Sequence, residues 1–247
     1  MARYYPLTYE AFGPDMQAAL EDYYGNGVTI HNVGALTVTF SCPQICDKPV
    51  KIATKVMSTS YEARSLICYV YTDETLASNV RIMDFTDYLP GTFYGYHLVL
   101  SPRFLLVQTA YSARTGALSI LVAKASNGRC LVISGSADSQ TGSNARCLFT
   151  DKMAQTHIRL DMMSTGPPFK QGGRILMKPV LFGEEYELEL NEDGTPAYID
   201  GLYSCGSYEA QRPHIGLNYY LSVSGIRTIT SLGTYAPGTF YIELDNG

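Results

Sequence analysis

Tryptophan is absent from this 247-residue chain, and charged side chains make up only 17% of it. Without tryptophan, a sugar-binding surface would have to rely on tyrosine for stacking. Low charge together with 46% hydrophobic residues excludes a disordered chain. It also leaves much neutral polar surface, of the kind found where subunits pack. The formal net charge is -5 and no basic stripe is present, which argues against a nucleic-acid partner. No run approaches the roughly 20 apolar residues of a membrane-spanning helix. The opening "MARYYPLTYEAFGPDMQ" has no long apolar core of the signal-peptide kind. The expectation is therefore a chain made and folded in a cytosol, with no membrane contact.

Catalytic signatures are also missing. There is no Gly-x-Ser-x-Gly elbow, no Walker loop, no Gly-x-Gly-x-x-Gly and no His-Glu-x-x-His. His31, His97, His157 and His214 stand apart from one another, as strand-face histidines do. Ser136 lies near Asp138 in "GSADS", but a serine nucleophile needs a base and none is at hand. The expectation is a protein that is not an enzyme, with no catalytic residue, no cofactor and no metal.

Tyrosine, by contrast, is abundant at 20 copies, and tyrosine, threonine, valine and isoleucine suit pleated, half-buried surfaces. Many short strand-like runs follow Gly27, separated by turn signals such as "SNG", "NEDG" and "PG". "VTIHNVGALTVTFSC" alternates, while "SLICYVYTD" is continuous enough to be buried on both faces. Before them, Met16, Ala19, Leu20 and Tyr23 recur at helical spacing, with Pro14 and Asp15 suited to a helix start and Gly25 to its stop. That helix either caps the core or reaches a neighbouring subunit. The pattern predicts an all-β fold, an antiparallel sandwich or barrel with one short N-terminal helix. The expected divisions are a helical arm over 1–27, a β-sandwich over 28–173 and a C-terminal β unit over 174–247. The last is separate or part of the same domain. "SGSADSQTGSNAR" reads as a surface loop, and "MSTGPPFKQGGR" as a linker or a long loop.

Several residue groups invite a closer look. Tyr61/Arg64 and Tyr111/Arg114 repeat a Tyr-x-Ala-Arg motif just before two buried-looking strands, and "PGTFY" occurs at Pro90–Tyr94 and Pro237–Tyr241. No acid-base partner is repeated beside either copy, so the arginines read as strand-end anchors and the Pro-Gly pairs as turns. The alternative is a ligand groove. Cys42, Cys46, Cys68, Cys130, Cys147 and Cys205 fall largely in apolar runs and read as reduced, buried thiols. "CPQIC" would be half a zinc site, but the matching half is missing. Glu185, Glu187 and Glu189 alternate as on a solvated strand face, with calcium in that hairpin as the sharper alternative.

Two regions, the stretch "VKIATKVMSTSYEARSLICYVY" and the later run from "RILMKPVLF" to "GTFYIEL", together resemble virion structural proteins of tailed bacteriophages. "VKIATKVMSTSYEARSLICYVY" is similar to their strand, Ser/Thr-x-Tyr-Glu-Ala and small apolar strand. "RILMKPVLFGEEYELELNEDGTPAYIDGLYSCGSYE" is similar to a later apolar strand, polar hairpin and aromatic-Gly-x-Tyr turn, and "GTFYIEL" to their closing strand. The resemblance runs from about Val50 to Tyr71 and from about Arg174 to Leu244. It implies a tail, baseplate or neck component, located in the virion and assembled in the host cytoplasm. Its partners would be other virion proteins and copies of itself in a symmetric ring. The alternative is a carbohydrate- or host-receptor-binding β module.

Overall fold

The computed structural model describes residues 2–58, 63–86, 93–111, 117–138, 142–152, 155–156, 159–164, 169–171, 174–182, 187–205, 220–223, 227–229, 235–237 and 240–243. Strand β1 (Arg3–Leu7) leads into α1 (Phe12–Tyr24). Then follow β2 (Thr29–Gly34), β3 (Thr37–Ser41), β4 (Val50–Ser58), β5 (Ala63–Tyr71) and β6 (Asn79–Thr86), which form a five-stranded antiparallel sheet in sequence order. The next strands are β7 (Phe93–Leu100), β8 (Phe104–Tyr111), β9 (Ala117–Lys124), β10 (Cys130–Asp138), β11 (Gly142–Phe149) and β12 (Gln155–Thr156). With β1 at one edge they make a seven-stranded sheet in the order β1-β7-β8-β9-β10-β11-β12. The two sheets face each other as an all-β sandwich.

Their shared core explains the alternation. Val38, Phe40, Val50, Ile52, Leu66, Cys68, Val70 and Ile82 point in from the five-stranded sheet. Leu98, Leu100, Leu105, Val107, Ile120, Val122, Val132 and Leu148 meet them from the seven-stranded one. The intervening residues of the larger sheet are buried too. Val99, Phe104, Leu106, Leu121, Leu131, Ile133 and Phe149 form a second core on its other face, sealed by Leu181, Ile199 and Leu202. Two-sided burial is thus strongest in "FLLV", "SILVA" and "CLVI". In β5, Tyr69 stays half-exposed, with the Lys51 ammonium 5.3 Å from its ring centroid.

The N-terminal residues are built into this body. β1 pairs with β7, from Arg3 opposite Leu100 to Leu7 opposite Tyr96. The helix starts at Phe12, three residues before Asp15, and buries Phe12, Met16, Ala19, Leu20 and Tyr24 in the sandwich core. Pro14 lies in its first turn, where no intrahelical partner for an N–H exists. The Asp15 carboxylate accepts from Thr8 N at 2.9 Å and Thr8 Oγ1 at 2.8 Å, which fastens the preceding loop. Gly13 is required by contact: its N–H donates to Ala35 O at 2.9 Å, and a Cβ there would lie 1.9 Å from Gly34 O.

The remaining strands are β13 (Arg159–Ser164), β14 (Phe169–Gln171), β15 (Arg174–Met177), β16 (Pro179–Phe182), β17 (Leu202–Cys205), β18 (Tyr220–Val223), β19 (Arg227–Ile229), β20 (Tyr235–Pro237) and β21 (Phe240–Glu243). They form two small sheets, β16-β13-β19-β20 and β14-β15-β17-β21-β18. The expected division between 173 and 174 cuts a hairpin, because Gln171 pairs with Arg174 and Phe169 with Leu176. The expected loop "SGSADSQTGSNAR" is also largely paired, with Gly135 opposite Ala145 and Asp138 opposite Gly142. Its small polar residues have weak strand propensity, and the cross-strand ladder overrides it. Among the described residues, no helix is long and apolar enough to cross a membrane.

Candidate functional site

Among the described residues, three clusters of polar or sulfur-bearing side chains stand out. The first joins serine, histidine and a carboxylate. β2 and β3 pair with a register shift between Ile30 and Asn32, which sets His31 beside Ser41 at the strand ends. His31 Nε2 lies 2.8 Å from Ser41 Oγ, and Ser41 Oγ lies 3.1 Å from both Glu74 oxygens. Glu74 Oε2 also approaches the same Nε2 at 3.4 Å. A Ser-His-acid relay needs the acid at the opposite ring nitrogen, so that the imidazole is free to take the serine proton. Here serine and carboxylate share one nitrogen, and the serine proton points at Glu74. The arrangement ties the loop after β5 to the β2–β3 hairpin.

The second cluster is the most extensive. The β9–β10 turn at Ser126–Gly128 meets the 187–200 segment through paired backbone and side-chain bonds. Ser126 N donates to Tyr198 O at 2.8 Å, Tyr198 N returns to Ser126 Oγ at 3.0 Å, and Ser126 Oγ reaches Asn191 Oδ1 at 2.7 Å. Beside it, Arg129 spreads its fork over two carboxylates. Nε and Nη2 hold Asp151 at 2.9 and 3.0 Å, and Nη1 holds Glu189. The guanidinium carbon stacks 3.7 Å from the Phe149 ring centroid. Burial pulls the Arg129 pKa down, and the two carboxylates more than offset it, so it ends above its ordinary value. Asn127 Nδ2 gives Glu189 a further donor at 3.2 Å. Glu189 is therefore buried at 8% exposure, while Leu188 and Leu190 point outward at 37% and 49%. This departs from the solvated face expected for the glutamates at Glu189, while Glu187 is exposed: the Glu189 carboxylate is drawn in by an arginine far away in sequence. Among the described residues no three His, Cys, Asp or Glu side chains converge as a metal would need.

The third cluster is sulfur. Cys42, Cys46, Cys68 and Cys130 are buried free thiols. The turn after β3 places Cys46 N on Cys42 O at 3.0 Å. Interaction with Cys130 at the start of β10, together with burial, raises the Cys46 pKa well above its ordinary value, and the same interaction lowers that of Cys130. The Cys130 thiol in turn points toward Gly128 O at 3.9 Å. Thr150 clamps the same corner: Oγ1 donates to Asp47 Oδ1 at 2.5 Å and lies 3.3 Å from Cys130 O. Burial pushes Cys42 up to about 11 against the backbone N–H groups of Gln44 and Ile45, which lower it, and burial pushes Cys68 up further.

The residues singled out from sequence fare differently. Arg64 sits in β5 opposite Val56 and Thr86, and Tyr111 ends β8 opposite Phe93. Tyr61, Arg114, His157, His214 and Glu185 lie outside the described residues, as do Pro90 and Gly91 of the first "PGTFY" copy. Ser136 and Asp138 are ladder positions of β10. His97 is half-buried, with Nδ1 3.0 Å from the Tyr4 hydroxyl, and burial lowers its pKa. The pairing of Arg129 with Glu189 carried no sequence signal, because the two are 60 positions apart and meet only in the fold. No family model matches this chain, and comparison with curated proteins and with solved structures finds no match.

Proposed function

We propose that the chain is a structural component of a tailed-bacteriophage particle, in the tail, baseplate or neck. It acts through protein–protein contacts in a multi-copy, symmetric assembly. The observation that carries this reading is the sequence resemblance over Val50–Tyr71 and Arg174–Leu244. The first stretch spans β4 and β5 of the five-stranded sheet, and the second supplies Leu181, Ile199 and Leu202 to the outer core. The polar clusters agree with a scaffold, since His31, Ser41, Glu74, Arg129 and Glu189 spend their hydrogen bonds on tying segments of the chain together. Such a protein offers its surface, rather than a pocket, to its neighbours.

The test is electron microscopy of phage particles assembled with a tagged copy, alongside light scattering of the purified chain. Label at a repeated, symmetric position on the particle is expected. A chain absent from purified particles, or a monomer that instead retains glycans on an array, would overturn the reading in favour of a receptor-binding module.

A further inference from the structure

The five-stranded sheet carries a cationic outer face. Alternation along β4 buries Val50, Ile52 and Thr54 and leaves Lys51, Ala53 and Lys55 on the outside. Lys51 stands opposite Tyr69 of β5, and Tyr69 stands opposite Arg81 of β6, so one cross-strand row sets an aromatic ring between two cations. Lys55 and Arg81 are exposed, while Lys51 and Tyr69 are half-buried. Glu74, at the end of this face, is engaged by Ser41 and His31. In a chain of net charge -5 this row is a local excess of positive charge. The other side of the molecule is acidic and apolar. There the 187–200 segment lies over the seven-stranded sheet, with Ile199 in the outer core. Its hairpin is closed by Ala197 N on Glu189 O at 2.7 Å and by Asn191 N on Thr195 O at 2.8 Å. Because Glu189 turns in toward Arg129, Leu188 and Leu190 turn out, and Glu192 and Asp193 are exposed at the tip. Asp193 Oδ1 accepts from Thr195 N at 3.0 Å, which holds the tip in one shape.

We propose that the 187–197 hairpin of one copy docks on the outer face of the five-stranded sheet of the next copy. Leu188 and Leu190 cover the Tyr69 ring and the lysine stems, and Glu192 and Asp193 lie beside Lys51, Lys55 and Arg81. The inference rests on the multi-copy reading above and names the surfaces that join the copies. A second copy is the occupant for two reasons. The surfaces are complementary in charge, and each pairs an apolar centre with a charged rim, as protein interfaces do. They also lie on opposite outer sides of the sandwich, with the shared core between them, so a chain cannot cover its own face. Tyr69 is suited to the contact, since the Lys51 ammonium already sits 5.3 Å from its ring centroid and the lysine stem adds apolar surface. A contact between two unlike surfaces repeats head to tail. It closes into a ring when the rotation per copy divides the circle, and otherwise runs on as a filament.

The experiment follows self-association of the full-length chain by sedimentation velocity over a concentration series. The unmodified chain is expected to associate beyond a dimer, and to associate less as salt rises. Lys51→Glu with Lys55→Glu should weaken association at least about tenfold, and so should Leu188→Ser with Leu190→Ser, and Glu192→Lys with Asp193→Asn. Asparagine keeps the oxygen that Thr195 uses. Urea melts check that each variant is folded, and glutamine replaces glutamate at 51 and 55 if the reversal lowers the melt. Joining the Lys51/Lys55 and Glu192/Asp193 exchanges in one chain should restore association relative to either alone. A chain that stays monomeric at every concentration, or folded variants that associate as the unmodified chain does, would overturn the interface. So would a monomer whose lysine face retains a sulfated glycan, since the occupant is then a polysaccharide. The outcome is separable from that of the virion reading. Label at a symmetric site on particles, with association untouched by these substitutions, overturns this interface alone. Hairpin-dependent association of a chain absent from particles supports the interface and overturns the virion assignment alone.

Discussion

Replacing Arg129 by alanine should be among the costliest polar substitutions in this chain. The guanidinium is the cation that pairs Glu189, whose carboxylate is 8% exposed, and its other branch holds Asp151. The two branches are unequal. Asp151 is 48% exposed on its side chain, so losing that half costs about 0–1 kcal/mol. Losing the Glu189 half leaves a buried carboxylate with Asn127 Nδ2 as its remaining side-chain donor among the described residues, worth about 3–5 kcal/mol. The stacking on Phe149 adds roughly 0.5–1 kcal/mol. Most of the loss is the stranded charge, so it should vanish when the charge does. Glu189→Gln alone should cost about 1–2 kcal/mol, because Arg129 keeps Asp151. The double variant should then cost about 2 kcal/mol less than the sum of the singles. Urea denaturation of the four proteins measures this coupling. A coupling energy below about 0.5 kcal/mol would refute the claim that Arg129 earns its place by neutralising Glu189.

Other outcomes follow from the same structure. Gly13→Ala should lower the denaturation midpoint sharply, by about 1–3 kcal/mol or more, since the new methyl would meet backbone oxygens of the β2–β3 turn at 1.9 and 2.5 Å; an unchanged thermal melt would show that the helix can shift freely. Deleting residues 1–24 should abolish the cooperative fold rather than spare it, because β1 completes the seven-stranded sheet and five helix residues fill the core; a cooperative melt of the truncated chain would refute this. Burial lowers the His97 pKa, so the unfolded chain binds its proton first and stability is lost as pH falls below the ordinary histidine value of about 6.5. His97→Gln should flatten that acid limb in pH-dependent denaturation, and an unaltered slope would exclude His97 as its source. The raised Cys42 pKa acts at the other end: stability present below about pH 9 should decline toward pH 11, less so in Cys42→Ala.

Local patterns carried much of the architecture. Alternation in "LTVTFS" and continuous runs such as "FLLV" report whether one or both faces of a strand are covered, and α1 shows in the spacing of Met16, Ala19 and Leu20. What local pattern cannot report is which distant element does the covering. Glu189 illustrates the limit: its neighbours made it look solvated, and Arg129, 60 positions away, pulled it inside. Tyr-x-Ala-Arg drew attention because it repeats, but repetition marks a turn solution as readily as a site. Among the described residues, a fork-like anchor belongs to an unrepeated arginine after "SNG".

The double burial of the seven-stranded sheet has a consequence for biosynthesis. Its strands are complete by Thr156, yet the side chains that cover its outer face, Leu181, Ile199 and Leu202, come later in the chain. A ribosome must therefore hold a nascent sheet whose Phe104, Leu106, Leu121, Leu131 and Phe149 still lack their lid. During that interval the uncovered face is open to chaperones and to other nascent chains on the same message.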